Sequence, residues 1–419
     1  MLNQTISKLI LISLSQVSPF STISTQASFS SVSYHNSHFS YFLQSQFYSI
    51  HPNIHLLMKD NSFSYFLQSS IVITSFYLND TTRHRTSEFE HPDISINHCL
   101  FSNCRSDNNG GAIKYDNSAG ELFVYRSVFQ SNFADSNGGG IYYDGVKYEF
   151  VRNCFEDCIA DNNGQAYHAK SQTGTSFSND TNILKCSKET KNRNGFTTFI
   201  NNGASDFHYN NYSNSHITRG AAAMATLLCE VKFITYCQMM NNSAYRILDF
   251  QFSVVPVEIF RCNLINNVAT VMTIIGYSFT TLINDCYFQN NSKPITSQPA
   301  GRPHTITFLN CIYDAFGITQ KNGINIVDCR PIQIHDTTIP ITQRYSQPCR
   351  YNEVEEKTFV SGVNIKLILL ISGVIIIVHC ILIHGNTMLR YFNALFGTSQ
   401  NRAPSRRRMT RGFGAVRLE

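Results

Sequence analysis

Through the middle of this chain a short pattern returns every 24 to 28 residues: Cys or Ser, an apolar residue two places on, then Asn. Its clearest copies are Cys99–Leu100–Phe101–Ser102–Asn103, Ser127–Val128–Phe129–Gln130–Ser131–Asn132 and Cys286–Tyr287–Phe288–Gln289–Asn290–Asn291. Looser copies begin at Cys154, Cys237, Cys262 and Cys311. A unit this short cannot close a core alone. Its copies must stack, and a fixed period of this length predicts a solenoid.

Two neighbouring copies show what each unit holds. Asn109–Gly110–Gly111–Ala112–Ile113–Lys114–Tyr115–Asp116 is matched by Asn137–Gly138–Gly139–Gly140–Ile141–Tyr142–Tyr143–Asp144. Glu121–Leu122–Phe123–Val124–Tyr125 is matched by Tyr148–Glu149–Phe150–Val151. Phe, Tyr, Ile and Val broken by Asn-Gly and Gly-Gly suit short strands and tight turns. Alternation along a strand puts Cys286 and Phe288, or Ser127 and Phe129, on one inward face. The following Asn is expected at a corner, where its amide serves turn backbone, and the glycines supply positive φ at the opposite corner.

The expected architecture is therefore all-β: a right-handed parallel β-helix of three strands per coil and about nine coils, followed by one transmembrane α-helix. The sequence divides into 1–27, a signal peptide; 28–93, degenerate first coils and an N-terminal cap; 94–330, the β-helix; 331–362, a capping segment and stalk; 363–385, the transmembrane helix; and 386–419, a cytoplasmic tail. The weak pattern between Gly164 and Ala225 predicts a longer projecting loop.

The membrane reading rests on the two ends. Lys8 precedes the six-residue apolar run Leu9–Leu14 and a small-residue stretch to Ala27, as in a secretory signal. Leu367–Ile383 has 17 residues and no formal charge, with Val363–Ile365 able to extend it. Glu353, Glu355 and Glu356 precede it, and the last 34 residues carry seven Arg and one acidic group. That bias predicts an extracellular N-terminus and a cytoplasmic C-terminus at the plasma membrane. Residues 1–385 hold 26 basic and 27 acidic side chains, a near-neutral body that argues against nucleic acid as a partner.

An exported chain makes the sequons at Asn79, Asn179, Asn211, Asn241 and Asn290 glycosylation candidates. Of 13 Cys, Cys380 falls in the apolar span, and Cys99, Cys154, Cys237, Cys262, Cys286 and Cys311 share the repeat position. These six are expected to be stacked, buried small hydrophobes. Cys99 with Cys104 and Cys154 with Cys158 are possible local bridges, which spacing alone does not decide. No Cys-x-x-Cys with accompanying His pair is present, so neither a metal nor a cofactor is expected.

Gly110–Gly111–Ala112–Ile113 followed by Phe129–Gln130–Ser131–Asn132 resembles the paired GGAI and FxxN motifs of the chlamydial polymorphic membrane proteins. Gly139–Gly140–Ile141, Phe288–Asn291, Met239–Asn242 and Leu264–Asn267 echo them. Those proteins end in an outer-membrane barrel. The single span and Arg-rich tail here look more like the related surface proteins of trichomonads. The resemblance implies a surface-exposed β-helix that binds an extracellular protein or glycan, with adhesion as its role.

Enzymes of the pectate-lyase type share the right-handed β-helix, so a membrane-tethered polysaccharide lyase or glycoside hydrolase is the alternative. Such chemistry needs clustered carboxylates with a nearby cation. Asp116 and Asp144, 28 residues apart, with Lys114 and Lys147 in reach, are the candidates. Asp107, Asp135 and Asp161 form a second possible column. Recurrence with the repeat favours a turn role for all five aspartates.

Overall fold

Short runs of Phe, Tyr, Ile and Val cannot bury their apolar faces as isolated strands, and in-register stacking is what buries them. The computed structural model describes residues 2–7, 10–12, 29–49, 55–74, 94–172, 175–186, 194–251, 255–276, 280–292, 305–314, 323–332 and 349. They form an all-β solenoid in which every strand pairing is parallel. Two sheets have thirteen strands each, one running from Leu2–Ser7 to Ile324–Val327, the other from Ile10–Ile12 to Arg330–Pro331. The third has nine, from Phe47–Ser49 to Val268–Gly276. There are thus thirteen levels, nine of them three-sided. Arg105–Ser106, Phe133–Ala134 and Ile159–Ala160 add a short fourth strip.

One level shows the plan. Glu121–Tyr125 lies in the first sheet, Val128–Gln130 in the second and Ile141–Gly145 in the third. Alternate residues point inward: Leu122, Val124, Phe129, Ile141 and Tyr143 are buried. Register repeats them from level to level. Phe63, Phe101, Phe129 and Phe155 stack with centroids 5.0, 4.9 and 4.6 Å apart.

Coils begin well before Ile94. Phe29–His35, His38–Ser40 and Phe47–Ser49 form one three-sided level, and His55–Lys59, Ser62–Ser64 and Ile71–Thr74 the next. The loop expected between Gly164 and Ala225 is not there among the described residues. Tyr167–Ser171, Thr175–Asn179, Asn182–Leu184, Asn194–Asn201, Ala204–His208, Asn211–Ser213 and His216–Leu227 are ordinary rungs of the three sheets. The pattern looks weak because Thr181 and Asn210 stand where the repeat has Cys or Ser, and Ser215 stands at a second-corner position that Asn fills at Asn132 and Asn242.

The corners explain those substitutions. Each turn between the first and second sheets places one residue at positive φ, such as Arg126 at 50° or Arg152 at 57°. The next residue points inward. This bend leaves a backbone N–H and a carbonyl three residues earlier for the next coil to satisfy. Asn153 does both, accepting from Ser127 N at 2.9 Å and donating to Val124 O at 2.8 Å. Cysteine does the same with sulfur: Cys262 Sγ accepts from Cys237 N at 3.4 Å and donates to Ile234 O at 3.4 Å. The second corner repeats the device with Asn132, Asn242, Asn267 and Asn291. Ladder cysteines are therefore thiol caps as well as buried apolar volume.

One cysteine leaves the ladder. Cys154 was expected to share the repeat position with the other five, but Asn153 takes it. Cys154 pairs in register with Val128 and Asn182 on the outer face of the second sheet. It forms a disulfide with Cys349 across 195 residues. The local bridges Cys99–Cys104 and Cys154–Cys158 are absent; Cys99, Cys104 and Cys158 are buried free thiols.

At the third corner the paired glycines are demanded by close backbone approach. A Cβ on Gly111 would lie 2.0 Å from the Gly139 carbonyl oxygen, and Gly110 has φ +72°.

Of the segment expected as a signal, Leu2–Ser7 and Ile10–Ile12 supply the first level's two strands. The compact unit 1–351 holds the solenoid; a second unit, 352–419, includes the expected span 363–385 and tail, and lies outside the described residues. No helix among the described residues is long and apolar enough to cross a membrane.

Candidate functional site

Side chains at the positive-φ corner positions point outward, and the level spacing brings successive ones into contact. Along the corner between the first and second sheets they run His98, Arg126, Arg152, Asp180, Tyr209, Tyr236, Arg261 and Asp285. Neighbours pair by chemistry. Arg152 Nε lies 3.6 Å from Asp180 Oδ2, and Arg261 Nε lies 3.4 Å from Asp285 Oδ2. Tyr209 and Tyr236 stack at 4.8 Å with 6° between their planes.

Between Arg126 and Tyr209 this corner opens into a cleft of about 370 Å³ lined by Tyr125, Arg126, Arg152, Asn179, Asp180 and Tyr209. Arg126 and Arg152 are exposed, and Tyr209 is 43% exposed. Tyr125 donates its hydroxyl to Glu149 Oε2 at 2.7 Å, and burial followed by that carboxylate pushes its pKa up. The Asn179 Oδ1 has no hydrogen-bond partner. The backbone here is already paired: Arg126, Arg152, Asp180 and Tyr209 each donate their N–H to the next coil at 2.9 to 3.0 Å. Sequence reading missed this cleft because positive φ at Arg and Tyr leaves no compositional mark. The 26-residue step from Arg126 to Arg152 was its visible trace.

The expected aspartates lie elsewhere, on the outer face of the third sheet. Asp116 and Asp144 are in register on adjacent strands. Burial, and then Asp144, raise the Asp116 pKa against the opposing pull of Lys114 and Lys170. Lys114 shares the strand of Asp116, as expected. Lys147 does not join them. It sits on the first sheet, 2.6 Å from Glu149 and over the Phe123 ring. The reason is the strand order: Lys147 opens the next level's first side, whereas Asp144 ends the previous level's third side. Lys170, one level on, takes its place at 2.9 Å from Asp144 Oδ2. His168, beside Tyr142 and Phe199, is held down to about 4 by burial.

Asp107, Asp135 and Asp161 do stack by register, and Arg105 lies 3.7 Å from Asp135. No group of three or more His, Cys, Asp or Glu among the described residues is arranged to hold a metal ion.

The sequons separate by exposure. Asn241 and Asn290 are exposed at positive-φ corners, Asn179 is half-buried, and Asn211 is buried. Asn79 lies outside the described residues.

No protein-family model, curated protein or solved structure matches this chain.

Proposed function

We propose that the chain is a single-pass cell-surface protein whose extracellular β-helix is a binding module, with adhesion as its role. The observation that carries this reading is the Cys154–Cys349 disulfide. Such bonds form and persist in oxidising compartments, which supports a solenoid outside the cytosol. The apolar run Leu367–Ile383 and the Arg-rich tail beyond it then give the membrane anchor and its orientation. The helix is taken as right-handed, because parallel crossovers adopt that hand in about 98% of cases. The GGAI and FxxN likeness to polymorphic-type surface proteins agrees with this role. Asn241 and Asn290 are the exposed sequons in this reading.

Topology tests it. Protease added to intact cells should remove an N-terminal epitope and spare a C-terminal one. The reverse pattern overturns the reading.

A second reading, a membrane-tethered polysaccharide lyase or hydrolase, draws on the raised Asp116 beside Asp144. The Lys170–Asp144 ion pair and the commitment of Lys147 to Glu149 count against it. Loss of uronide or glycan cleavage in an Asp116→Ala, Asp144→Ala double variant of an active chain would establish it.

A further inference from the structure

We propose that the cleft between Arg126 and Tyr209 is a binding site for an acidic sugar, a pyranose ring bearing a carboxylate. This deepens the binding-module reading and rests on it.

Two features of the cleft select that chemistry. Arg126 and Arg152 sit one level apart on the same corner, so two guanidinium groups can converge on one anion. Arg152 shares its charge with Asp180 across 3.6 Å, the two side chains being 58% and 30% exposed, while among the described residues Arg126 has no acidic partner at 4.0 Å or closer. Guanidinium–carboxylate contacts are the strong, oriented kind. At the other end Tyr209, backed by Tyr236, presents a rigid aromatic surface that suits the apolar face of a sugar ring. A volume of about 370 Å³ falls at the small end of ligand sites.

An acidic peptide fits less well. Peptides recognised on β-structure add a strand to a free edge or insert apolar anchors into pockets. Here the corner N–H groups are bonded to the next coil, and the lining offers few apolar side chains.

The test uses the purified full chain in detergent and immobilised oligosaccharides of a uronic acid, the same oligosaccharides after carboxyl reduction, and poly-glutamate. The variants are Arg126→Asn, Arg152→Asn and Tyr209→Asn. Asn occupies the same corner position at Asn36 and Asn310, so these variants keep the fold. Tyr41→Asn, at a corner on the other side of the second sheet, is the control. Each of the three cleft variants should weaken uronide binding about tenfold or more, with thermal midpoints unchanged. Carboxyl reduction should abolish binding, and Tyr41→Asn should leave it intact. Three results overturn the proposal: equal binding of the reduced oligosaccharide, tighter binding of poly-glutamate, or wild-type affinity in the cleft variants. An N-glycan found on Asn179 by mass spectrometry, which would fill the cleft, overturns it too. None of these depends on the protease-protection result, so the site and the topology fail separately.

Discussion

Asn132 accepts the backbone N–H of Cys104, one coil earlier, at 2.9 Å. The same amide donates to Phe101 O at 3.0 Å, so one side chain closes both backbone groups that the corner leaves open.

Asn132→Ala should therefore strand two buried polar groups and cost about 2–4 kcal/mol. Asn132→Cys should recover part of that, since Cys262 and Cys286 make the equivalent two contacts through sulfur. Chemical denaturation of the three proteins checks this. Equal losses for Ala and Cys would show that the thiols act only as apolar volume.

Gly111→Ala should be among the most damaging single-methyl changes in the chain. Its Cβ would meet the Gly139 carbonyl oxygen at 2.0 Å and the Phe133 carbonyl oxygen at 2.8 Å, both backbone atoms that cannot rotate away. A loss of about 3 kcal/mol or more is expected. A thermal midpoint within a degree of wild type would refute the close approach.

These two devices show how the sequence could be read and where it could not. The Asn and Gly-Gly corners are visible because few residues do their jobs. The polar cap at the ladder is chemically looser, since Ser127, Thr181 and Cys262 supply an atom at the γ position and Asn153 supplies its amide at the δ position. Levels built on Thr181 and Asn210 were therefore taken for a loop. Register also decides what spacing alone cannot. Asp116 and Asp144 meet as their 28-residue step implies, but the cation beside Asp144 is Lys170 rather than Lys147. A disulfide across 195 residues has no local signature at all.

Thiol accessibility should follow the ladder. Burial pushes Cys99, Cys104 and Cys229 up to about 12, so the thiolate that reacts with iodoacetamide is scarce. Among the ten free cysteines of the described residues, native alkylation should favour Cys329, the one that is not buried. Denaturation without reductant should open the other nine and leave Cys154 and Cys349 unlabelled. Peptide mapping by mass spectrometry reads both states.

His168 should make the solenoid acid-sensitive. The residue is 8% exposed and its pKa is lowered to about 4, chiefly by burial. In the unfolded chain it titrates near 6.5. Between those values the unfolded state binds the additional proton, so stability present above about pH 6.5 is lost as pH falls towards 4. The full effect is on the order of 3 kcal/mol. His168→Gln should flatten that part of the stability–pH curve. An unchanged slope would mean that His168 is not buried in its neutral form.

The bond between Cys154 and Cys349 also determines how a mechanical load would pass through the chain. A solenoid pulled from its end ordinarily peels one coil at a time, because each coil grips only its neighbours. Here tension applied beyond Cys349 enters the sixth level directly through sulfur. The seven levels from Asn182–Leu184 to Arg330–Pro331 lie inside a covalently closed loop, off the load-bearing path. More than half of the stacked coils would thus stay folded under shear from the C-terminal side, until that single bond is reduced.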